Sequence, residues 1–82
     1  MEVIETKTKD GKKVVLRGEQ WKHIKYRHPE MANRVNEIEE AVRNPTKIVR
    51  YSDATTKFYK FIKNEKKYIM VAVKLLNGEG FI

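Results

Sequence analysis

The run Tyr68-Ile69-Met70-Val71-Ala72-Val73-Lys74-Leu75-Leu76, closed by Asn77-Gly78 and followed by Gly80-Phe81-Ile82, decides how this chain is read. No Gly or Pro interrupts it, and it is rich in β-branched and apolar side chains, so it predicts the longest strand. Side chains alternate between the two faces of a strand. Ile69, Val71, Val73 and Leu75 therefore share one face and are expected to lie against helices. Asn-Gly favours the left-handed conformations of a tight hairpin turn, so Gly80-Phe81-Ile82 reads as the start of a returning strand.

Moving toward the N-terminus, Lys57 to Ile62 alternates aromatic residues with lysine (Phe58, Tyr59, Lys60, Phe61) and predicts a second strand, set off by a turn at Lys63-Asn64-Glu65-Lys66. Lys47 to Tyr51 predicts a third, separated by the turn Ser52-Asp53-Ala54-Thr55. From Pro29 to Arg43 the apolar positions Met31, Val35, Ile38 and Val42 are spaced by four, three and four. That spacing places them on one side of a helix, and Asn44-Pro45 stops it. Ahead of Pro29, Trp21 to His28 reads as a first helix, because proline pushes the residue before it out of helical dihedrals. Gly18 and Glu19 read as the break before that helix, with Glu19 in the first turn suited to the helix dipole. At the N-terminus, Glu2 to Lys7 and Lys13 to Leu16 predict two short strands, with Asp10-Gly11 signalling a two-residue hairpin turn. The expected architecture is α+β: an N-terminal hairpin or strand, two helices, then an antiparallel sheet of about four strands, with the helices on one face.

Eighty-two residues make a single small domain over 1–82. With no cysteine, disulfides, thiolate metal sites and a thiol nucleophile are excluded. The apolar runs are too short to span a bilayer, and the first residues lack the basic-then-apolar layout of a signal peptide. A cytoplasmic protein without a membrane partner is expected. Eighteen basic against eleven acidic side chains give a net charge of +7. Such a balance suits polyanions, RNA or DNA first, and equally well a merely soluble surface rich in lysine. The acids gather at Glu37, Glu39 and Glu40, which leaves the cations to the first helix, the sheet and the loops.

Trp21-Lys22-His23-Ile24-Lys25-Tyr26-Arg27-His28-Pro29-Glu30 holds both histidines and the single tryptophan. On a helix, Trp21, Ile24 and His28 share a sector, with His23 and Arg27 spaced i, i+4 beside it. His23 and His28 stand roughly 140° apart around an ideal helix and are no simple same-face pair.

That segment resembles the phage-associated nuclease-like domains of the barnase, EndoU, colicin and RelE fold group. The likeness is carried by the string His23-Ile24, Arg27-His28-Pro29-Glu30, the helix ending at Asn44-Pro45, Phe58-Tyr59-Lys60 on a strand, and the last hairpin. It covers roughly Val14 to Ile82. It implies helices followed by a four-stranded antiparallel sheet, and a metal-independent, toxin-type ribonuclease without a cofactor. By resemblance the family's helix histidine maps onto His23, with Arg27, His28 and Glu30 as the matching signature, and its basic strand position maps onto Lys60. Related chains continue past the Gly-Phe-Ile position into a Thr-Ala-Tyr-like strand, which implies a shortened last strand ending here at Ile82.

Cleavage of RNA without a metal needs a base for the 2′-hydroxyl, an acid for the leaving 5′-oxygen and a cation for the phosphorane. His23 is the first candidate for proton transfer and His28 the second, with Arg27 and Lys60 on the phosphate. Lys22, Tyr26, Tyr59 and Glu30 complete the nucleic-acid-binding set, the tyrosines as stacking or hydrogen-bonding groups. Plainer roles compete: His28 tied to the backbone at the helix break, Glu30 favoured by a helix dipole, Lys60 solvated on the outer sheet face. Two histidines five apart with no nearby Asp match no zinc or facial-triad spacing. No nucleophile elbow is present. The alternatives to an endoribonuclease are a non-catalytic RNA- or DNA-binding module of the same fold and a protein-interaction domain. Expected partners are RNA and a cognate inhibitor protein. An open sheet edge at Ile82 makes a strand-mediated homodimer the alternative to a monomer.

Overall fold

The computed structural model describes residues 2–82. Along the chain the elements are β1 (Glu2–Lys7), β2 (Lys13–Arg17), α1 (Gly18–Arg27), a 3₁₀ turn (Pro29–Met31), α2 (Val35–Arg43), β3 (Lys47–Arg50), β4 (Thr55–Ile62), β5 (Lys67–Leu76) and β6 (Glu79–Phe81). The class is α+β, as expected. The sheet, however, has six strands in the order β1-β2-β6-β5-β4-β3 and is mixed, because β2 and β6 run parallel. The expected sheet of about four antiparallel strands covers only β3 to β6. The N-terminal hairpin docks onto the last strand instead of standing apart, and this joins both ends of the chain in one sheet.

Local chemistry explains most boundaries. Thr8 to Gly11 forms a turn in which the Gly11 N–H donates to Thr8 O at 3.0 Å and Gly11 sits at φ +88°. The Thr8 N–H then donates to Lys12 O at 2.9 Å. The hairpin is therefore the three-residue kind, a turn capped by a left-handed glycine, and not the two-residue Asp-Gly turn expected. Asn77 and Gly78, at φ +52° and +82°, do make the tight two-residue turn.

α1 begins at Gly18, which opens the helix instead of breaking the chain before it, and Glu19 lies in the first turn as expected. Glu19 there suits the helix dipole. The helix ends where the His28 N–H donates to Ile24 O at 2.7 Å and Pro29 forbids continuation. Pro29 opens only a 3₁₀ turn, with the Met31 and Ala32 N–H groups donating to His28 O and Pro29 O. The second helix expected from Pro29 starts six positions later, at Val35. Arg34, at φ −117° and ψ 24°, breaks the helical path, while its guanidinium reaches Glu37 and Glu65. Asn44 ends α2 as expected.

The core lies between the helices and one sheet face. Trp21 from α1 and Ile38, Ala41 and Val42 from α2 pack on Ile4, Val14, Leu16, Phe58, Ile69, Val71 and Val73. Burying such aliphatic side chains contributes about 1.5–3 kcal/mol each. Ile69, Val71 and Val73 hold the inward positions of β5, as the alternation predicts; Leu75 is only partly buried. Ile82 is not at an open edge. Its N–H donates to Val15 O at 3.0 Å, and the sheet edges are β1 and β3. The expected route to a homodimer through an open edge at Ile82 is thereby removed.

Candidate nucleic-acid interface

The ladder registers assign the residues of β3, β4 and β5 to faces. Ile48, Phe58, Ile69 and Val71 lie toward the helices, and Lys60 lies with them because it pairs with Ile69. The Lys60 ammonium donates to Asn44 O at 2.9 Å and so caps the carbonyl end of α2. The alternative of a solvated lysine on the outer face is excluded by that register. Tyr59, one residue earlier, points to the other face.

That other face has no helix over it. Its aromatic centre is Tyr59, Phe61 and Tyr68. Phe61 and Tyr68 are directly opposed with centroids 5.1 Å apart, and Tyr59 meets Tyr68 edge-on at 6.3 Å. Tyr68 is 53% exposed and the adjacent Met70 is 45% exposed. Cations stand around the rings. Lys47 Nζ lies 5.7 Å from the Tyr59 centroid, Lys57 Nζ lies 4.0 Å from that of Tyr51, and Arg17 lies over Phe81 at 5.6 Å. Lys74, paired with Phe81 and Thr55, lies on the same face. Carboxylates are scarce there. Glu5 and Glu79 both approach Lys13, at 3.2 and 3.7 Å, and the Glu5 bond above all holds the Lys13 ammonium above its usual pKa. Alternation on a strand put this array together, because one face of β4 takes Lys57, Tyr59 and Phe61 while the other takes Phe58 and Lys60.

The helix segment forms a second region. Lys22, His23, Lys25, Tyr26 and Arg27 are all exposed, Tyr26 at 85%. Among the described residues, His23 and Arg27 make no hydrogen bond or ion pair with each other or with Lys60. Gln20, Ile24 and His28 run down another side of α1 into a cleft of about 430 Å³, closed by Glu30, Met31, Arg34 and the first half of β5. At its mouth His28 Nδ1 lies 3.4 Å from Glu30 Oε2. The structure thus brings His28 and Glu30 together in the cleft and leaves His23, Arg27, Lys22 and Tyr26 on the exposed helix surface. Lys60 and Tyr59 belong to opposite sides of the sheet.

Arg34, not singled out in the sequence, links the corner before α2 to the β4–β5 turn through Glu37 and Glu65. Its hydrogen bond is the main reason the Glu65 carboxyl titrates below the usual carboxylate range. Nothing local could have revealed it, since the two residues are 31 positions apart. Lys47, Lys57 and Tyr68 were legible in principle, as outward positions of alternating strands. Among the described residues no group of three or more His, Asp and Glu side chains is arranged to hold a metal, and no helix is long and apolar enough to cross a membrane. No protein-family model, curated protein or solved structure matches the chain.

Proposed function

We propose that this domain binds single-stranded RNA on the helix-free face of its sheet. The observation that carries the reading is the ring cluster of Tyr59, Phe61 and Tyr68, with Lys47 against Tyr59 and with Lys57 and Lys74 farther along the same face. Unpaired bases stack on exposed rings, and lysines track the phosphates, so the array suits a strand whose bases are splayed rather than a duplex. Net charge of +7 adds a long-range attraction that is sequence-independent. The cytoplasm is the setting this reading implies, with RNA as the partner and an inhibitor protein compatible with it.

A second reading adds metal-independent cleavage, and the approach of His28 to Glu30 at the cleft mouth favours it. One of the pair would take the 2′-hydroxyl proton as that oxygen attacks phosphorus. The other would protonate the departing 5′-oxygen, leaving a 2′,3′-cyclic phosphate and a free 5′-hydroxyl. Arg27 or His23 would serve only if the RNA also reached the exposed side of α1. Fluorescence anisotropy with a labelled single-stranded RNA, in EDTA, separates the readings. Saturable, salt-sensitive binding with intact RNA supports the binding module. Cleavage that persists in EDTA and disappears in His28→Ala supports the enzyme. No binding at low salt rejects both.

A further inference from the structure

Ile48 pairs with Phe58 and so belongs to the helix side of the sheet, yet it is 55% exposed where Phe58 is 5% exposed. The reason is where α2 stops. Val42 is its last buried residue, and Asn44-Pro45 turns the chain away beyond it. Past that point a groove of about 290 Å³ lies open on the helix side. Its floor is Ile48, Phe58, Val73 and Leu75 from three adjacent strands, and Val42 with Pro45 forms one wall. Alternation along β4 and β5 puts Tyr59, Met70 and the ring cluster on the other side of the sheet, so this groove is separate from the face proposed for RNA.

The opposite wall is the turn between β1 and β2, which brings Lys9, Asp10 and Lys12 to the rim. Asp10 is already engaged: the Thr8 hydroxyl donates to it, and Lys12 Nζ lies 4.0 Å from its carboxylate. Arg50 stands opposite Thr56, which lines the groove, and so adds its charge on the same side of the sheet as Ile48. Among the described residues neither Lys9 nor Arg50 has an ion-pair partner. Three cations against one carboxylate leave a positive rim above an apolar trough. A phosphate chain laid there would press its charges on hydrocarbon, which is costly. A molecule with one anionic head and an apolar tail satisfies both parts of the site. At the roughly 30 Å³ that a water-sized group occupies in the liquid, the groove holds on the order of ten heavy atoms. We propose that it binds an aliphatic monocarboxylate of medium length, with the tail on Ile48, Phe58, Val73 and Leu75. The carboxylate lies toward Lys9 and Lys12, and Arg50 adds to the attraction.

The probe is octanoate, titrated at millimolar concentration into the ¹³C-methyl-labelled full chain without RNA. Saturable shifts are expected at the methyls of Val42, Ile48, Val73 and Leu75, while those of Met70 and Ala72, on the ring face, stay still. Hexanoate, two methylenes shorter, should bind about tenfold more weakly, since each buried methylene is worth roughly fourfold in affinity. Octylammonium, with the same tail and the opposite charge, should bind at least about fivefold more weakly. Replacing both rim lysines, Lys9→Gln with Lys12→Gln, should weaken octanoate by about threefold and leave the unfolding midpoint unchanged, because both side chains are exposed. Ile48→Glu, which sets a carboxylate in the trough, should abolish the saturable shifts; if that variant does not fold, the lysine pair and the charge-reversed probe carry the test. The proposal is overturned if octanoate leaves the four groove residues unshifted or moves Met70 as strongly. Equal affinity for hexanoate or for octylammonium overturns it too, the first by removing the tail contact and the second by removing the anion contact.

Discussion

Tyr59 and Lys60 are neighbours in β4 and point to opposite faces of the sheet, the tyrosine to the ring cluster with Tyr68 and the lysine to Asn44 O at the end of α2. The pair therefore separates ligand binding from structure in two adjacent substitutions. Tyr59→Ala is expected to weaken single-stranded RNA binding by roughly five- to hundredfold, the range for losing one base–aromatic stack, while leaving the unfolding midpoint little changed. Lys60→Met, which keeps the aliphatic stem and removes the ammonium, should leave RNA affinity within about twofold, since one cation off the binding face adds little. Thermal unfolding of Lys60→Met should instead begin at lower temperature. Anisotropy and circular dichroism on both variants check the split.

Glu65 and Arg34 tie the β4–β5 turn to the corner before α2. Hydrogen bonding to Arg34 lowers the folded-state pKa of Glu65 below its ordinary value of 4.5. A carboxylate so shifted binds its proton more readily in the unfolded chain. Its stabilising contribution is complete above about pH 4.5 and fades as pH falls from there through the lower folded value. The unfolding temperature should therefore drop on acidification across that window. Arg34→Ala should lower stability at neutral pH and flatten the decline, as read by thermal melts from pH 6 to pH 2.5.

Gly80 sits where β6 passes between β2 and β5. A Cβ there would stand 2.8 Å from Val73 Cγ1 and 3.0 Å from Val14 Cγ2, both on side chains held in the core. Gly80→Ala should cost about 1–3 kcal/mol, the usual range for overpacking. Urea unfolding with an unchanged slope and a lower midpoint would confirm it. If the midpoint does not move, β6 is looser than its position between two strands implies.

Much of the frame was legible in local sequence. Asn77-Gly78 could only turn tightly, the alternation of Ile69, Val71 and Val73 named the inward face of β5, and Asn44-Pro45 ended α2. What was not legible is non-local. The parallel pairing of Val14 and Val15 with Gly80 and Phe81 joins the two ends of the chain, and no local pattern encodes it. Pro29 reads in the sequence as opening an α-helix and opens only a 3₁₀ turn; α2 starts after Arg34, whose backbone leaves the helical path and whose guanidinium meets Glu37 and Glu65. In the candidate site, the alternation of cations and rings along β4 was legible in the sequence. Their division between faces follows from period two: Phe58 as the buried residue fixes Lys60 on its side and excludes the alternative of an outer-face lysine.

The central claim, that RNA lies on the ring face of the sheet and not along α1, is tested most directly by amide chemical-shift mapping. A single-stranded RNA of about ten nucleotides would be titrated into the ¹⁵N-labelled chain in EDTA. Shifts concentrated at Lys47, Lys57, Tyr59, Phe61, Tyr68 and Met70 are predicted, with Lys22, His23, Tyr26 and Arg27 nearly still. The reverse pattern, with the helix residues moving and the sheet face silent, would contradict it.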